Sequence, residues 1–215
     1  MRTTSRFIPC AIALLLAVLP VYSKSKTLDD FIRKANSSLV TFKYSFSTVS
    51  DGPSMTGEGD VKLSGSSFLV NGNGLEVWCD GKTRWTIDRS AREAMVESVD
   101  EAEDGISANP ALLITSVDNA FNEVSFGASK FSGKTADASV LVPLSKGGSS
   151  MDIARVTLFF KTGTSDLIGA EVTLNDGTLT RFSISGLKFS DKSKAPSFAF
   201  DGKSLGKDYV VTDLR

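Results

Sequence analysis

Large apolar residues fall at every second position in segment after segment of this chain, and no other feature narrows its fold so far. Val40, Phe42, Tyr44 and Phe46 alternate with Thr41, Lys43, Ser45 and Ser47. An extended chain points successive side chains to opposite faces, so this spacing makes a strand with one apolar face. The same period returns at Gly59, Val61 and Leu63, and again at Phe68 and Val70. Turn chemistry separates these runs: Asp51-Gly52-Pro53, Gly65 with its flanking serines, Asn71-Gly72-Asn73-Gly74 and Asp80-Gly81. Such dipeptides between alternating runs signal hairpins.

Further strands are expected at 75–79, 83–88, 91–99, 123–126, 129–131, 138–142, 153–160, 167–174, 179–184 and 198–200. Helical spacing occurs twice. Leu28, Phe31, Ile32, Ala35 and Leu39 recur at helical intervals, which predicts a helix over about 27–38 capped by Thr27. Asn109 and Pro110 suit a cap and a first turn, predicting a second helix to about Asn119. Mostly strands with two isolated helices imply a mainly β (α+β) fold. We expect one curved antiparallel sheet, an incomplete β-barrel, with the helices covering its concave face.

The chain has 215 residues, 41% of them hydrophobic, which suits a single domain. Its N-terminus has the pattern of a secretory signal. Arg2 and Arg6 precede an apolar run from Ile8 to Leu19, and Val21 and Ser23 occupy small-residue positions near a cleavage point. The run is shorter than the ~20 residues of a membrane span, so residues 1–23 read as a cleaved signal peptide and 24–215 as the exported domain. Cys10 precedes the apolar run instead of ending it, so it does not fit a lipid-anchor site. Cys79 is then the one cysteine of the mature chain, and it reads as a small buried hydrophobe that stays unmodified.

Composition excludes several functions. Histidine is absent, which removes histidine triads, histidine metal sites and the commonest neutral-pH base. No basic block supports nucleic-acid binding; the formal charge is −1. Acidic pairs such as Asp29-Asp30 and the run Glu101, Glu103 and Asp104 read as caps or solvated faces. No nucleophile–base pair, phosphate loop or cofactor motif is present, so no enzyme activity, cofactor or metal is expected. A chain with 14 Phe and 2 Trp but no reactive constellation reads as a binder of apolar material. Large residues on both faces of some strands (Leu158 and Phe160 against Phe159, Leu75 and Val77 against Trp78) fit either helices on both sides of a sheet or a sheet bent around an apolar cavity.

The stretch Val77-Trp78-Cys79-Asp80-Gly81-Lys82-Thr83-Arg84-Trp85-Thr86-Ile87-Asp88 resembles the signature hairpin of the LolA-like lipoprotein carriers. Gly57-Glu58-Gly59-Asp60-Val61 is similar to that family's Gly-x-Gly strand, and Asn109-Pro110-Ala111-Leu112-Leu113 to its lid helix. Asp166-Leu167-Ile168, Asp176-Gly177-Thr178 and Pro196-Ser197-Phe198-Ala199-Phe200-Asp201 follow in the family's order, so the resemblance spans roughly residues 27–213. It implies a periplasmic carrier that shelters the acyl chains of lipoproteins between inner and outer membrane. Its partners would be acylated lipoproteins, an inner-membrane exporter complex that loads it and an outer-membrane acceptor. The carrier itself would be a monomer. The alternative, on the same scaffold, is a periplasmic lipid- or lipoprotein-sensing module.

The cavity lining expected from the strand faces is Phe42, Tyr44, Phe46, Val61, Leu63, Phe68, Val70, Leu75, Val77, Trp85 and Ile87. The expected lid comprises Pro110, Leu112, Leu113 and Ile114. One departure stands out. Many family members carry an Arg after the Gly-x-Gly strand that is thought to hold the lid shut. Here that turn reads Leu63-Ser64-Gly65-Ser66-Ser67, so an Arg-locked lid is not implied.

Overall fold

The structure, a computed structural model of the chain, describes residues 24–50, 52–99, 114, 117–144 and 152–215. Helix α1 runs Lys26–Ser37. Ser25 is its N-cap, two residues before the expected Thr27, and its Oγ accepts from the Leu28 amide at 3.3 Å. Strands β1 (Ser38–Val49), β2 (Met55–Ser64), β3 (Ser67–Gly72), β4 (Leu75–Cys79), β5 (Thr83–Asp88) and β6 (Glu93–Ser98) form an up-and-down meander. A helical turn, α2 (Val117–Ala120), precedes a second meander. This comprises β7 (Phe121–Phe131), β8 (Lys134–Pro143), β9 (Ile153–Phe160), β10 (Leu167–Leu174) and β11 (Leu179–Asp191), followed near the C-terminus by β12 (Val210–Asp213).

The two meanders join through β1 and β11 into one 12-stranded sheet of order β12-β6-β5-β4-β3-β2-β1-β11-β10-β9-β8-β7. Strands β7 and β12 end the sheet, so the barrel is incomplete, as expected. The antiparallel expectation needs one correction, because β12 pairs β6 in parallel. A segment returning along the outside of the sheet meets β6 in that direction.

Helix α1 explains the curvature. Leu28, Phe31, Ile32 and Ala35 form its buried stripe. That stripe shares one apolar cluster with Val61 and Leu63 of β2, Phe68 of β3, Cys79 of β4, Leu141 of β8, Leu158 of β9 and Ala170 of β10. A single helix can touch strands on both wings of a sheet only if the sheet curls around it. The Phe31 ring meets Phe160 of β9 at 5.6 Å and Phe189 of β11 at 6.3 Å, both edge-on, the geometry aromatic quadrupoles favour.

A polar clasp fixes the start of this helix. Glu123 of β7 is only 7% exposed. Its Oε1 accepts from Ser25 Oγ at 2.8 Å and from the fully buried Ser139 Oγ at 2.7 Å, and its Oε2 accepts from the Ser25 amide. The N-terminal end of a helix favours an acidic group beside it. Glu123→Ala should therefore cost about 2–4 kcal/mol, because it strands the buried Ser139 hydroxyl and frees the half-buried Ser25 cap. Thermal melts should show Tm falling by roughly 5–12 °C. An unchanged Tm would mean the clasp is ornamental.

Three strand expectations shift. Segments 123–126 and 129–131 are one continuous β7 that runs through Gly127. Residues 198–200 do not form a strand. Phe198 instead docks side-on against Leu39 and Leu69, which satisfies its alternation by burial without a ladder. Strand β12 lies beyond it, and its four exposed residues carry no amphipathic signal.

Candidate functional site

Cross-strand partners share a face, so the register places each expected lining residue. Phe42, Val61, Val70 and Val77 stand in one row across β1 to β4. Leu63 and Phe68 stand in the row that starts at Val40, and Leu75 ends the row that starts at Tyr44. Phe46 lies on the same face one row further on. Nine of the eleven residues are thus brought together on the concave face, the side that α1 covers.

Trp85 and Ile87 are not. Trp85 pairs with Trp78, and Ile87 with Glu76, residues that alternate with Leu75 and Val77. Both therefore belong to the convex face, one residue out of phase with the expectation. The cause is the turn. Asp80 Oδ1 accepts from the amides of Lys82 at 2.9 Å and Thr83 at 2.8 Å, and Gly81 takes a left-handed φ of 90°. These bonds hold the Asp80 carboxyl below the ordinary aspartate range. With only Gly81 and Lys82 at the tip, Cys79 must face Arg84, and odd positions of β4 face even positions of β5. The concave residue that faces Val77 is Thr86.

On the convex face, Trp85 and Trp78 flank Phe200 with ring centroids at 5.3 and 5.7 Å. Ile87 is fully buried there. Trp78 and Trp85 hold the C-terminal segment against the outside of the sheet, so their role is structural.

The concave face has two zones. Toward the Ser38 end of β1, Val40, Phe42, Leu63 and Phe68 are buried under α1. Tyr44 and Phe46, further along β1, and Val70 and Val77, further across the sheet in the Phe42 row, are only partly covered. Phe182 and Ile184 of β11 extend this zone opposite Phe46 and Tyr44. The rings of Tyr44, Phe46 and Phe182 lie 5.9–6.5 Å apart and form an aromatic floor.

The Gly-x-Gly strand makes that floor possible. A Cβ on Gly59 would sit 2.8 Å from Tyr44 Oη, one on Gly72 2.6 Å from the same oxygen, and one on Gly57 2.5 Å from the Phe46 ring. Glycines thus clear the backbone of β2 and β3 for two rings to lie across it. Burial raises the Tyr44 hydroxyl above its ordinary pKa, with a smaller push from the Asp60 carboxylate, so the phenol is neutral across physiological pH.

Beyond Leu75, which is 38% exposed, a depression of about 430 Å³ continues the concave side toward the β12 edge, where the carboxylates of Asp88 and Glu93 join Thr86, Met95, Val210 and Thr212. On the opposite side of β1, β2 and β11, a cleft of about 530 Å³ presents Lys43, Glu58, Asp60, Ser183 and Ser185. The two faces of the same strands are therefore chemically distinct, apolar within and polar without.

Cys79 is buried, with the Gly81 amide 3.4 Å from its Sγ, and the structure gives it no disulfide. Of the expected lid, Pro110, Leu112 and Leu113 lie outside the described residues. Ile114 is described and is buried in the main cluster beside Val117 and Phe121. The residues missed from sequence are Phe182 and Ile184. Their alternation with Arg181, Ser183 and Ser185 marks a strand face, and pairing with β1 brings it to the site.

No family model and no curated protein matches the sequence. Solved structures do share its architecture. An uncharacterised conserved protein from Thermus thermophilus is 10% identical, with 86% of this chain and 96% of that one covered and a TM-score of 0.50. A putative outer membrane lipoprotein-sorting protein domain from Vibrio parahaemolyticus is 9% identical, covering 83% and 96%, with a TM-score of 0.46. A LolA superfamily protein from Nitrosomonas europaea is 12% identical, covering 86% and 100%, with a TM-score of 0.41. At such identities the likeness is one of fold alone.

Proposed function

We propose that this chain is an exported carrier that shelters the acyl chains of lipoproteins against its concave face. The observation that carries this reading is the half-covered aromatic floor of Tyr44, Phe46 and Phe182, contiguous with the buried cluster under α1. An acyl chain of about 15 methylenes gains roughly 0.8 kcal/mol per methylene on leaving water, about 12 kcal/mol in all. Such a chain crosses an aqueous compartment only inside an apolar shelter. A fully buried floor would be closed to it, and a fully exposed one would drive self-association. Partial cover fits a surface that takes up and releases a guest.

The signal-like N-terminus supports export, and among the described residues no helix is long and apolar enough to cross a membrane. In this reading a membrane-bound exporter supplies the energy for loading and an outer-membrane acceptor takes the cargo. Residues 110–114 would form a gate held by apolar contact alone, worth about 1.5–3 kcal/mol per buried side chain. The test is mass spectrometry of material bound to the protein purified from its native periplasm. Acylated lipoprotein in stoichiometric amount is the expected result. A protein that emerges empty and retains no acylated protein when loaded in vitro would end this reading.

A further inference from the structure

The two edges of the sheet are treated differently. Strand β12 is four residues long and is bracketed by ion pairs, Arg92–Asp208 at 2.7 Å before it and Arg215–Asp213 at 2.6 Å at its end. A short, charged edge discourages pairing with another chain. Strand β7 is eleven residues long, and among the described residues it pairs only with β8. From Val124 to Ser129 it carries no charge and no proline, and among the described residues its one guard is a bulge between Glu123 and Ser125. Val124 and Phe126 are each 42% exposed, and the space beside Gly127 is open. Edges this long and bare are rare in proteins that leave them unused.

The edge also lies on the same face of the sheet as the candidate site. Phe126 faces Ser139 of β8, which faces Leu158 of β9 in the main cluster, so the concave lining runs out to the edge at Phe126. The charge displayed there is positive. Lys130 and Lys134 are exposed at the β7–β8 turn, whereas Glu123 is buried in its clasp and Asp137 accepts from the Gly163 amide at 2.8 Å.

We propose that β7 receives an extended segment of the acylated partner as a thirteenth strand, uncharged where it pairs with residues 124–129 and acidic where it passes Lys130. The backbone groups of an edge strand are complementary to an extended chain and to little else, and main-chain pairing supplies affinity while side-chain fit supplies selectivity. This proposal rests on the carrier reading: a polypeptide tethered to an acyl group held on the concave face leaves the sheet at this edge.

The test is hydrogen–deuterium exchange of the exported chain with two synthetic probes. One is dipalmitoyl-S-glycerylcysteine amide. The other is the same lipid followed by Ser-Ala-Ser-Ala-Asp-Ser. Native mass spectrometry records binding of each. Both should bind, and only the lipopeptide should slow exchange at residues 124–129, by at least tenfold. Changing the probe's Asp to Lys should weaken its binding about two- to fivefold, the range of an exposed ion pair. If both probes bind and β7 exchanges equally with each, the edge proposal is overturned and the carrier reading stands. If neither binds, both fall. Protection of β7 that grows with protein concentration without any probe, together with a dimer mass, would assign the edge to a second copy and overturn the proposal.

Discussion

Phe31→Ala should lower the stability of the fold by about 3–5 kcal/mol, the range for emptying a large aromatic site in a closed core. Phe31 is fully buried at the middle of the α1 stripe and bridges Phe160 on one wing to Phe189 beside β1. No neighbouring strand can collapse into its space without unbending the sheet, so the cost falls at the upper end of that range. Urea unfolding should show an earlier midpoint. Proteolysis should first cut the linkage between α1 and β1, because the helix loses its deepest anchor while the meanders keep their ladders. A loss below about 1 kcal/mol would mean that α1 does not organise the curvature.

Phe46→Asp should abolish retention of an acylated lipoprotein while leaving the sheet folded. Phe46 is partly covered, stacks near Tyr44 and lies 5.9 Å from Phe182 on the aromatic floor. A carboxylate there either remains hydrated, which wets the floor, or is buried at a cost of several kcal/mol. Either route should weaken binding by about two orders of magnitude or more, since each 1.4 kcal/mol is a factor of ten. Ser47→Asp is the matched control. It is the next residue of β1 on the polar face, and its cross-strand neighbour is Arg181. It should retain cargo like the wild type. Circular dichroism should be the same for all three proteins. Equal retention by the Phe46 variant would place the guest elsewhere.

The sheet was legible in the sequence because alternation is a local signal and β1 to β5 carry it with turn residues at every junction. The face of each strand was harder. The pattern assigns Leu75, Val77, Trp85 and Ile87 to one side, whereas the register puts Trp85 and Ile87 on the other, because large apolar residues repeat on both faces there. Only the two-residue tip at Gly81-Lys82 fixes the register, and one residue of slip inverts a strand. Glu123 gave no sign of its clasp role, since its partners Ser25 and Ser139 are 98 and 16 residues away. Strand β12 was silent for the opposite reason. It is held by main-chain pairing to β6, and its exposed side chains record nothing. The Gly-x-Gly strand carries the resemblance in sequence, and its physical role lies in the Tyr44 and Phe46 rings laid over it.

The central claim is that acyl chains occupy the concave face, and photo-crosslinking tests it most directly. A lipopeptide whose palmitoyl chains carry a diazirine would be loaded on the exported chain, irradiated and mapped by peptide sequencing. Adducts should concentrate on Tyr44, Phe46, Val70, Val77 and Phe182, the partly covered residues that share that face. Adducts concentrated instead on Trp78, Trp85 and Phe200, or spread over both faces alike, would contradict it.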